Sequence, residues 1–421
     1  MSAPMRHVSR CCQRRISSCL RVSGNSESKT RVLSAFSTYF DTKKTVLGIE
    51  TSCDDTGAAV VDNRGRVLGE ALNSQVKVHV EAGGILPPVA RNLHVESIAG
   101  VVQEALDRAS MTVHDVDAVA VTVEPGLALC LKVGLDHAKS VVRHSGKPLI
   151  PIHHMQAHAL MARMSDRVDF PFLVLLISGG HCLLAVAKDV ADFVLLGESL
   201  DDAPGEAFDK IARQLNLKNL PQFSSVSGGV AIETLAREGN PKAFDLPLML
   251  TQIRTCDFSF SGLKSQAKRF IAREEERQGV SREDILPNVA DICASFQYGV
   301  LKHLARRVQR SLLFCELHGL LPKHKKTLVV SGGVGSNQFI RSGLQKVCDM
   351  YSTQLVCPPP RLCTDNGVMI AWNGMEKLLS GQDFSAAHPE AVDFQPKCPI
   401  GEDISSAVRD ASIKLPPLKL L

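Results

Sequence analysis

Two histidines four positions apart, His154 and His158, have the type and spacing to bind a metal ion. If the chain is helical after Pro151, the two imidazoles lie one turn apart on one face and form a bidentate site for a divalent cation. Alone, such a pair is more often a coincidence of a helix surface than a ligand set. Met155 stands where a zinc peptidase needs its general-base glutamate, which excludes that mechanism. A third ligand must come from elsewhere.

Three strongly apolar segments each end in a turn of small residues. Glycines, small hydroxyl side chains and free backbone amides in such a turn let the chain approach an anionic group closely. A plain β-hairpin carries the same residue types at its tip, but the recurrence favours anion-binding turns. Asp54 and Asp55, in the first turn, could hold a cation or accept a proton. The segments are 45–50, 172–177 and 327–330, and the turns that follow them are 51–57, 178–181 and 331–337.

Further polar residues stand where helices are predicted to begin. Asp209, in a helix that starts near Gly205, is available to a sugar hydroxyl or a cation. Segment 227–233 is a glycine turn leading into a helix, whose free amides suit an anion or a ribose. Asn337 could hydrogen-bond a nucleotide. Asp365, just before the last long predicted helix, is the best candidate for the missing hard ligand.

The elements that must position these residues alternate between strands and helices. Segment 89–109 has the apolar spacing of an amphipathic helix, 116–123 is a buried-strand pattern, and another helix extends to about residue 144. Strand and helix in alternation indicate an α/β domain.

Segment 289–317 has apolar positions at three-and-four spacing, which predicts a helix packed on the core. Its basic residues are predicted to line the polar side. Such a run is usually only a solvated face, and it is also one place where an RNA backbone could lie. These residues are Lys302, His303, Arg306, Arg307 and Arg310.

The composition is that of an ordinary soluble protein, with 44% hydrophobic and 22% charged residues in a chain of 421. This length allows two domains or one large one. The net charge of +4 neither proves nor excludes a nucleic-acid partner, because binding depends on a local basic patch. The 13 cysteines include no Cys-x-x-Cys pair, which indicates buried, reduced thiols. No apolar stretch approaches the roughly 20 residues that span a bilayer, so no membrane partner is expected.

The first 40 residues or so differ from the rest of the chain, because they are rich in arginine and serine and contain Glu27 as their only acid. This composition is typical of an organelle transit peptide. The alternative is a disordered basic tail. A mitochondrial leader over residues 1–40 is the first prediction.

Taken together, seven motifs in this order resemble the tRNA adenosine threonylcarbamoyltransferase family, formerly classed as O-sialoglycoprotein endopeptidases. The resemblance extends over residues 46 to about 380 and, with the leader, is greatest to mitochondrial members. The motifs lie at 48–56, 153–158, 178–181, 205–210, 257–264, 331–337 and 363–367.

The resemblance implies a two-lobed α/β fold of the actin-like and sugar-kinase-like kind. Each lobe is then built on a ribonuclease-H-like sheet, and a nucleotide lies in the cleft between the lobes. The implied divisions are a leader at 1–40, an N-terminal lobe with the metal histidines at 41–165, a C-terminal lobe with a helical insertion at 166–385, and a tail at 386–421.

The resemblance also implies the ligands of each site. His154, His158 and Asp365 would hold one divalent ion per subunit, which could be zinc, iron, manganese or magnesium. Eleven residues would contact the donor, threonylcarbamoyl-AMP. They are Leu176, Ile177, Ser178, Gly179, Gly180, Asp209, Gly229, Glu233, Ser336, Asn337 and Thr364.

The implied reaction moves the threonylcarbamoyl group to N6 of adenosine 37 in the anticodon loop of mitochondrial tRNAs that read codons beginning with A, and AMP leaves. Asp54 or Asp55 is the candidate to take the proton. The implied partners are tRNA, a separate synthase that supplies the donor, and a second copy of the chain in a homodimer. The implied location is the mitochondrial matrix.

Two alternatives come from other functional classes. A small-molecule kinase can use the same fold and ATP, but it would not need two histidines. A non-catalytic, nucleotide-dependent binding protein like actin is the other. Only the transferase would label tRNA from threonylcarbamoyl-AMP without consuming ATP.

Overall fold

The computed structural model describes residues 43–82, 84–386 and 388–421, so the predicted leader over 1–40 lies outside the described residues. The first part of the described chain builds a five-stranded sheet and its helices. The elements are β1 (Thr45–Glu50), β2 (Asp55–Asp62), β3 (Val67–Ser74), α1 (Val76–Glu81), α2 (Pro87–Arg108), β4 (Ala118–Glu124), α3 (Ala128–Ser145), β5 (Leu149–His153), α4 (His154–Leu160) and α5 (Ala162–Ser165).

The remaining chain builds a six-stranded sheet and most of the helices around it. Its elements are β6 (Phe172–Ile177), β7 (Cys182–Ala187), β8 (Phe193–Glu198), α6 (Pro204–Gln214), α7 (Gly228–Ala236), α8 (Ser261–Gln278), α9 (Val289–Leu317), β9 (Lys326–Ser331), α10 (Gln338–Met350), β10 (Thr353–Val356), α11 (Gly367–Leu379), β11 (Glu402–Asp403) and α12 (Ser405–Asp410).

The two sheets repeat one topology. The first has the order β3-β2-β1-β4-β5, and the second contains the equivalent order β8-β7-β6-β9-β10, with β11 added beside β8. In both, the fourth and fifth strands are parallel to the first, and the second and third strands are antiparallel to each other. This duplicated, ribonuclease-H-like plan confirms the predicted two-lobed fold of the actin-like and sugar-kinase-like kind.

The strands at the centre of each sheet are buried on both faces. All six residues of β1 and of β6 are buried, as expected for strands covered by helices on either side. In the first sheet, α2 and α3 cover one face through Val102 and Leu135, and α4 with α11 covers the other through Ala157 and Met375. The apolar runs that predicted these strands are therefore the core of each lobe.

The last long helix, α11, returns across the chain to pack on the first sheet. Its residues Ala371 and Met375 lie in one apolar cluster with Val46 and Ala120 of β1 and β4. The approach is close enough that a Cβ added to Gly48 would be 2.2 Å from the backbone nitrogen of Ala371. The lobe divisions at 165 and 385 stay predictions, but a helix from the later span covers the earlier sheet.

For three of the five basic residues of α9, the structure corrects the prediction of a solvated face open to RNA. His303, Arg307 and Arg310 are only 0%, 2% and 5% exposed. Arg307 donates to the carbonyl of Asp257 at 2.9 Å, and Arg310 donates to that of Thr255 at 2.7 Å. Buried cations need such partners, so these side chains hold the loop before α8 against α9 and do not face a ligand.

Among the described residues, no helix is long and apolar enough to cross a membrane. The cysteines of the described chain carry free thiols, and those at 130, 182 and 293 are buried as predicted.

The close approach of α11 to β1 makes Gly48 sensitive to substitution. We expect Gly48→Ala to lower the stability of the fold by about 1–3 kcal/mol, because the new methyl group must displace helix backbone. Gly100→Ala is the matched control, since a Cβ at this position of α2 meets nothing within 4 Å. Chemical denaturation should show a lower midpoint for Gly48→Ala and an equal or higher one for Gly100→Ala. Equal midpoints for Gly48→Ala and the unsubstituted chain would contradict this account of the packing.

Candidate metal centre and donor site

The two histidines lie at the start of α4, directly after β5. The side chain of His153 accepts a hydrogen bond from the backbone nitrogen of Met155 at 3.2 Å and thereby caps the helix. His154 and His158 follow one turn apart, with ring centroids 4.7 Å from each other, and both are buried. The predicted one-face arrangement is therefore present.

Asp365 is brought to this pair by α11. Asn366 caps that helix by accepting from the backbone nitrogen of Met369 at 2.9 Å, which fixes the residue before it at the helix entrance. Asp365 Oδ1 lies 3.0 Å from His158 Nε2 and 3.5 Å from His154 Nε2. The three donor atoms lie within 4.8 Å of one another. Ligand atoms about 2.0–2.2 Å from a zinc-sized ion are separated by comparable distances.

Behind His154 lies a carboxylate that orients its ring. Glu50, at the buried end of β1, places Oε2 3.3 Å from His154 Nδ1, and Ser52 Oγ is 3.1 Å from the same nitrogen. Thr122 also donates to the Glu50 carboxylate. Metal-bound histidines commonly hydrogen-bond a carboxylate through the nitrogen that faces away from the ion. His154 Nε2 is thereby directed toward Asp365, and the residues present fit a divalent metal.

The electrostatics of the centre favour a cation. Burial alone would lower the pKa of His154, but the negative charges of Asp365 and Glu50 raise it to about 9. Burial would raise the pKa of Asp365, but His154 and His158 hold it well below its usual range. His154 thus lies between the carboxylates of Glu50 and Asp365. A metal ion and a proton compete for its Nε2, so metal affinity is expected to increase with pH.

His153 differs from its two neighbours. Its Nε2 lies 3.3 Å from the backbone oxygen of Cys398, away from the other ligands. Burial lowers its pKa to about 4, so the ring is neutral. His153 therefore caps the helix and supports the chain near residue 398.

The first small-residue turn borders the metal centre. Burial raises the pKa of Asp55 to about 7, and the nearby charges of Asp54 and Asp365 contribute in the same direction. Burial also raises the pKa of Asp54. Asp55 Oδ1 is buried and, among the described atoms, has no hydrogen-bond partner. A carboxylate with these properties suits a base that works near neutral pH, but the role of either aspartate stays a prediction.

The second turn reaches the same region from the other sheet. Ser178 donates from its backbone nitrogen to the carbonyl of His181 at 2.9 Å, and its Oγ accepts from the His181 backbone nitrogen at 3.0 Å. The His181 ring lies 6.2 Å from that of His154. A Cβ added to Gly179 or Gly180 would meet nothing within 4 Å, so the space above this turn is open.

The predicted donor contacts at Asp209, Gly229 and Glu233 lie where three helices meet. Asp209 Oδ1 accepts from the backbone nitrogen of Gly228 at 2.8 Å and so joins α6 to the start of α7. Glu233 Oε1 accepts from the backbone nitrogen of Gln338 at 2.9 Å and joins α7 to the start of α10. Gly229 lies between these two links, in the first turn of α7. The carboxylates already stabilise helix starts, and their contact with a donor stays a prediction.

The third turn lies against the end of β6. Gly332 has a φ of 94°, and a Cβ there would be 2.4 Å from the carbonyl oxygen of Ile177, the residue after the buried Leu176. In the same turn, Asn337 Oδ1 accepts from the backbone nitrogen of Ile340, and its Nδ2 donates to Gln297 at 2.7 Å. The Asn337 side chain therefore caps α10 and is engaged at both ends.

Ser336 and Thr364 complete the predicted donor set. Ser336 is half-buried beside Asn337, and Thr364 is exposed directly before Asp365. A Cβ on Gly333 would be 3.9 Å from Thr364 Cγ2, so the third turn and the entrance to α11 are neighbours. The third turn therefore lies close to the segment that carries Asp365, and the contact of Ser336 or Thr364 with a donor stays a prediction.

Three residues of the site were not among the predicted ligands. Glu50 and Ser52 support His154, and His181 faces it across the two sheets. An acid at the end of the apolar strand Thr45–Glu50 is a signal that could have identified Glu50, because a buried carboxylate needs polar partners.

Comparison with known proteins identifies relatives over most of the chain. The family model for tRNA N6-adenosine threonylcarbamoyltransferase matches residues 66–372. The human mitochondrial tRNA N6-adenosine threonylcarbamoyltransferase is 52% identical over 378 residues, which are 90% of this chain and 91% of that protein. The Xenopus tropicalis protein of the same name is 51% identical, covering 91% and 95%. A Rhizobium johnstonii tRNA N6-adenosine threonylcarbamoyltransferase is 42% identical, covering 84% and 92%.

The geometry separates the metal-binding histidines from the third histidine of the segment. We expect His158→Ala to lose the ion, because it removes one of three convergent donor atoms, and His153→Ala to retain it. Metal content per chain after chelation, reloading with zinc and buffer exchange measures both. One tightly held ion in His158→Ala, or none in His153→Ala, would show that the ligands are assigned wrongly.

Proposed function

This chain belongs to the tRNA N6-adenosine threonylcarbamoyltransferase family, and from that premise we propose that it transfers threonylcarbamoyl from threonylcarbamoyl-AMP to N6 of an anticodon-loop adenosine. It is a transferase of tRNA modification. The proposed acceptors are mitochondrial tRNAs that read codons beginning with A, and AMP is the proposed leaving group. The observation that carries the proposal is the convergence of His154, His158 and Asp365 beside three open or glycine-rich turns.

The turn that holds Gly179 and Gly180 is the proposed contact surface for the donor. The open turn at Gly179 and Gly180 exposes backbone that can approach a phosphate closely. Bound there, the donor would place its reactive carbonyl near the metal ligands.

In the proposed reaction, N6 of the adenosine attacks the carbamoyl carbon. The new C–N bond forms, the bond from that carbon to the phosphate oxygen of AMP breaks, and the proton of N6 passes to a base. An aromatic amine is a poor nucleophile, so holding the two substrates in contact contributes more than base strength. Asp55 is the favoured base because its buried Oδ1 is unpartnered among the described atoms, and Asp54 is the second candidate.

His154, His158 and Asp365 would hold the metal ion. Two imidazoles and one carboxylate suit zinc, iron or manganese, whereas magnesium prefers oxygen ligands. A divalent ion supplies positive charge that can orient phosphate or carbonyl oxygens and stabilise developing negative charge. Glu50 would keep the His154 ring in the orientation that binding needs.

The proposed setting is the mitochondrial matrix, where a separate synthase supplies the donor; the vertebrate relatives are named mitochondrial. The leader-like composition of residues 1–40 supports import, which imaging of a tagged full-length chain can test.

A homodimer is also proposed. Large apolar side chains exposed over residues 72–95 support it, and a monomeric mass by light scattering would exclude it. They are Leu72, Val76, Val78, Ile85, Leu86, Val89 and Val95.

Incubation with labelled threonylcarbamoyl-AMP and unmodified tRNA tests the function directly. We expect label to enter the tRNA in step with AMP release, in the absence of ATP. The control tRNA carries guanosine in place of the acceptor adenosine and should take no label. In a parallel reaction with ATP added, consumption of ATP without labelling of tRNA would favour the kinase alternative. Binding of ATP with neither consumption nor labelling would favour the actin-like alternative.

The proposed base makes the rate depend on pH. The pKa of Asp55 is raised to about 7, so its carboxylate is protonated at lower pH, and we expect kcat/KM to fall as pH decreases below about 7. Asp55→Asn should lower kcat roughly 10²–10⁴-fold and abolish that limb of the profile. Asp136→Asn, on the exposed face of α3, is the control. Normal rates in both Asp55→Asn and Asp54→Asn would exclude these residues as the base.

A further inference from the structure

A basic cleft lies outside the metal centre, between α6 and the α8 region of the second lobe. Its volume is about 280 Å³. Four of its six lining residues are cationic, two are neutral amides, and none is acidic. They are Lys210, Arg213, Gln214, Asn216, Lys268 and Arg282.

The walls of the cleft are joined by side-chain amides. Asn216 follows α6 with a φ of 54°, and its Nδ2 donates to the carbonyl of Arg282 at 2.5 Å. Asn219 Nδ2 donates to the carbonyl of Glu283 at 3.1 Å. Leu217, between the two asparagines, is buried in the core. The loop after α6 and the loop after α8 are thus tied together, so the cationic side chains extend from a connected backbone.

Not all of the positive charge in the cleft is neutralised by the protein. Lys210 pairs with Glu206 at 2.7 Å and with Asp202 at 3.2 Å. Arg282 Nε is 4.0 Å from Glu275 Oε2. Arg213 and Lys268 are exposed, and no carboxylate oxygen of the described residues lies within 4.0 Å of their nitrogens. These two cations therefore have donors available for an external anion.

The chemistry of the lining selects the class of anion. Lysine, arginine and amide groups contact phosphate oxygens and position a nucleic acid without reading its bases. The lining offers no aromatic side chain on which a base could stack. The cleft therefore suits a phosphodiester backbone better than a free nucleotide.

The position of the cleft connects it to the proposed donor site. Arg213 lies one turn after Asp209 on α6, and Asp209 binds the start of α7 where the donor is proposed to lie. We infer that this cleft binds backbone phosphates of the tRNA substrate and holds the tRNA while its anticodon loop reaches the donor. The inference rests on the proposed function and names the RNA contact that it requires.

The test compares two double variants of the full-length chain that lose the same charge. Arg213→Gln with Lys268→Gln removes the unpaired cations of the cleft. Lys188→Gln with Lys323→Gln removes two exposed lysines that do not line it. Binding of unmodified tRNA is measured by fluorescence anisotropy over a series of salt concentrations, and thermal unfolding confirms that both variants fold.

We expect the cleft variant to bind tRNA at least about tenfold more weakly at 0.1 M salt and to lower the slope of log affinity against log salt by roughly 1.4–1.8, since each phosphate contact contributes about 0.7–0.9. Its KM for tRNA should rise while kcat is retained. The control variant should match the unsubstituted chain. Unchanged tRNA affinity and slope in the cleft variant, or an equal loss in the control, would overturn the inference. Failure of the proposed function is seen separately, because the unsubstituted chain would then transfer no label to tRNA.

Discussion

The packing of α11 on the first sheet is the contact on which the site depends. Backbone lies against backbone there: a Cβ on Gly367 would be 2.4 Å from the carbonyl carbon of Ala58, and one on Gly48 would be 2.2 Å from the Ala371 nitrogen. Any larger residue at these points would push the helix outward. Since Asp365 lies two residues before Gly367, such a shift would also move the third ligand away from the histidines.

The second constraint is the burial of opposite charges at the centre. The His154 ring lies between two carboxylates, with Nδ1 3.3 Å from a Glu50 oxygen and Nε2 3.5 Å from an Asp365 oxygen. Removing such charges from water costs free energy, and apolar residues that packed well in their place would often make the fold equally or more stable. Groups with strongly shifted pKa values in this arrangement are characteristic of functional sites. The arrangement therefore indicates a role in binding and chemistry more than a role in stability.

The sequence predicted the features that depend on residues close together in the chain. Helical spacing placed His154 and His158 on one face, and apolar runs located the central strands, because both depend on neighbours in the chain. The support of His154 by Glu50 joins residues 104 apart, and the pairing of His158 with Asp365 joins residues 207 apart, so the geometry of these contacts appears only in the folded chain. The sequence and the family resemblance named His154 and Asp365 as ligands, but they did not identify Glu50 as the support of His154.

The prediction for three of the basic residues on the polar side of α9 was wrong for another reason. Amphipathic spacing distinguishes polar from apolar positions, but it does not tell whether a cation faces water or buried carbonyls. Arg307 and Arg310 face carbonyls, whereas Arg213 and Lys268, which carried no periodic signal, face the basic cleft from two different helices. RNA contacts could be sought only after the helices were in place.

The metal ligands lie far apart in the chain, so binding of the ion is coupled to folding. The donors come from positions 154, 158 and 365, so an unfolded chain presents them far apart and binds an ion weakly. An ion at a concentration 100 times its dissociation constant then adds about 2.7 kcal/mol to the folded state. Scarcity of the metal would increase the fraction of open chains and their exposure to proteases. The centre thus couples the lifetime of the protein to the supply of its ion.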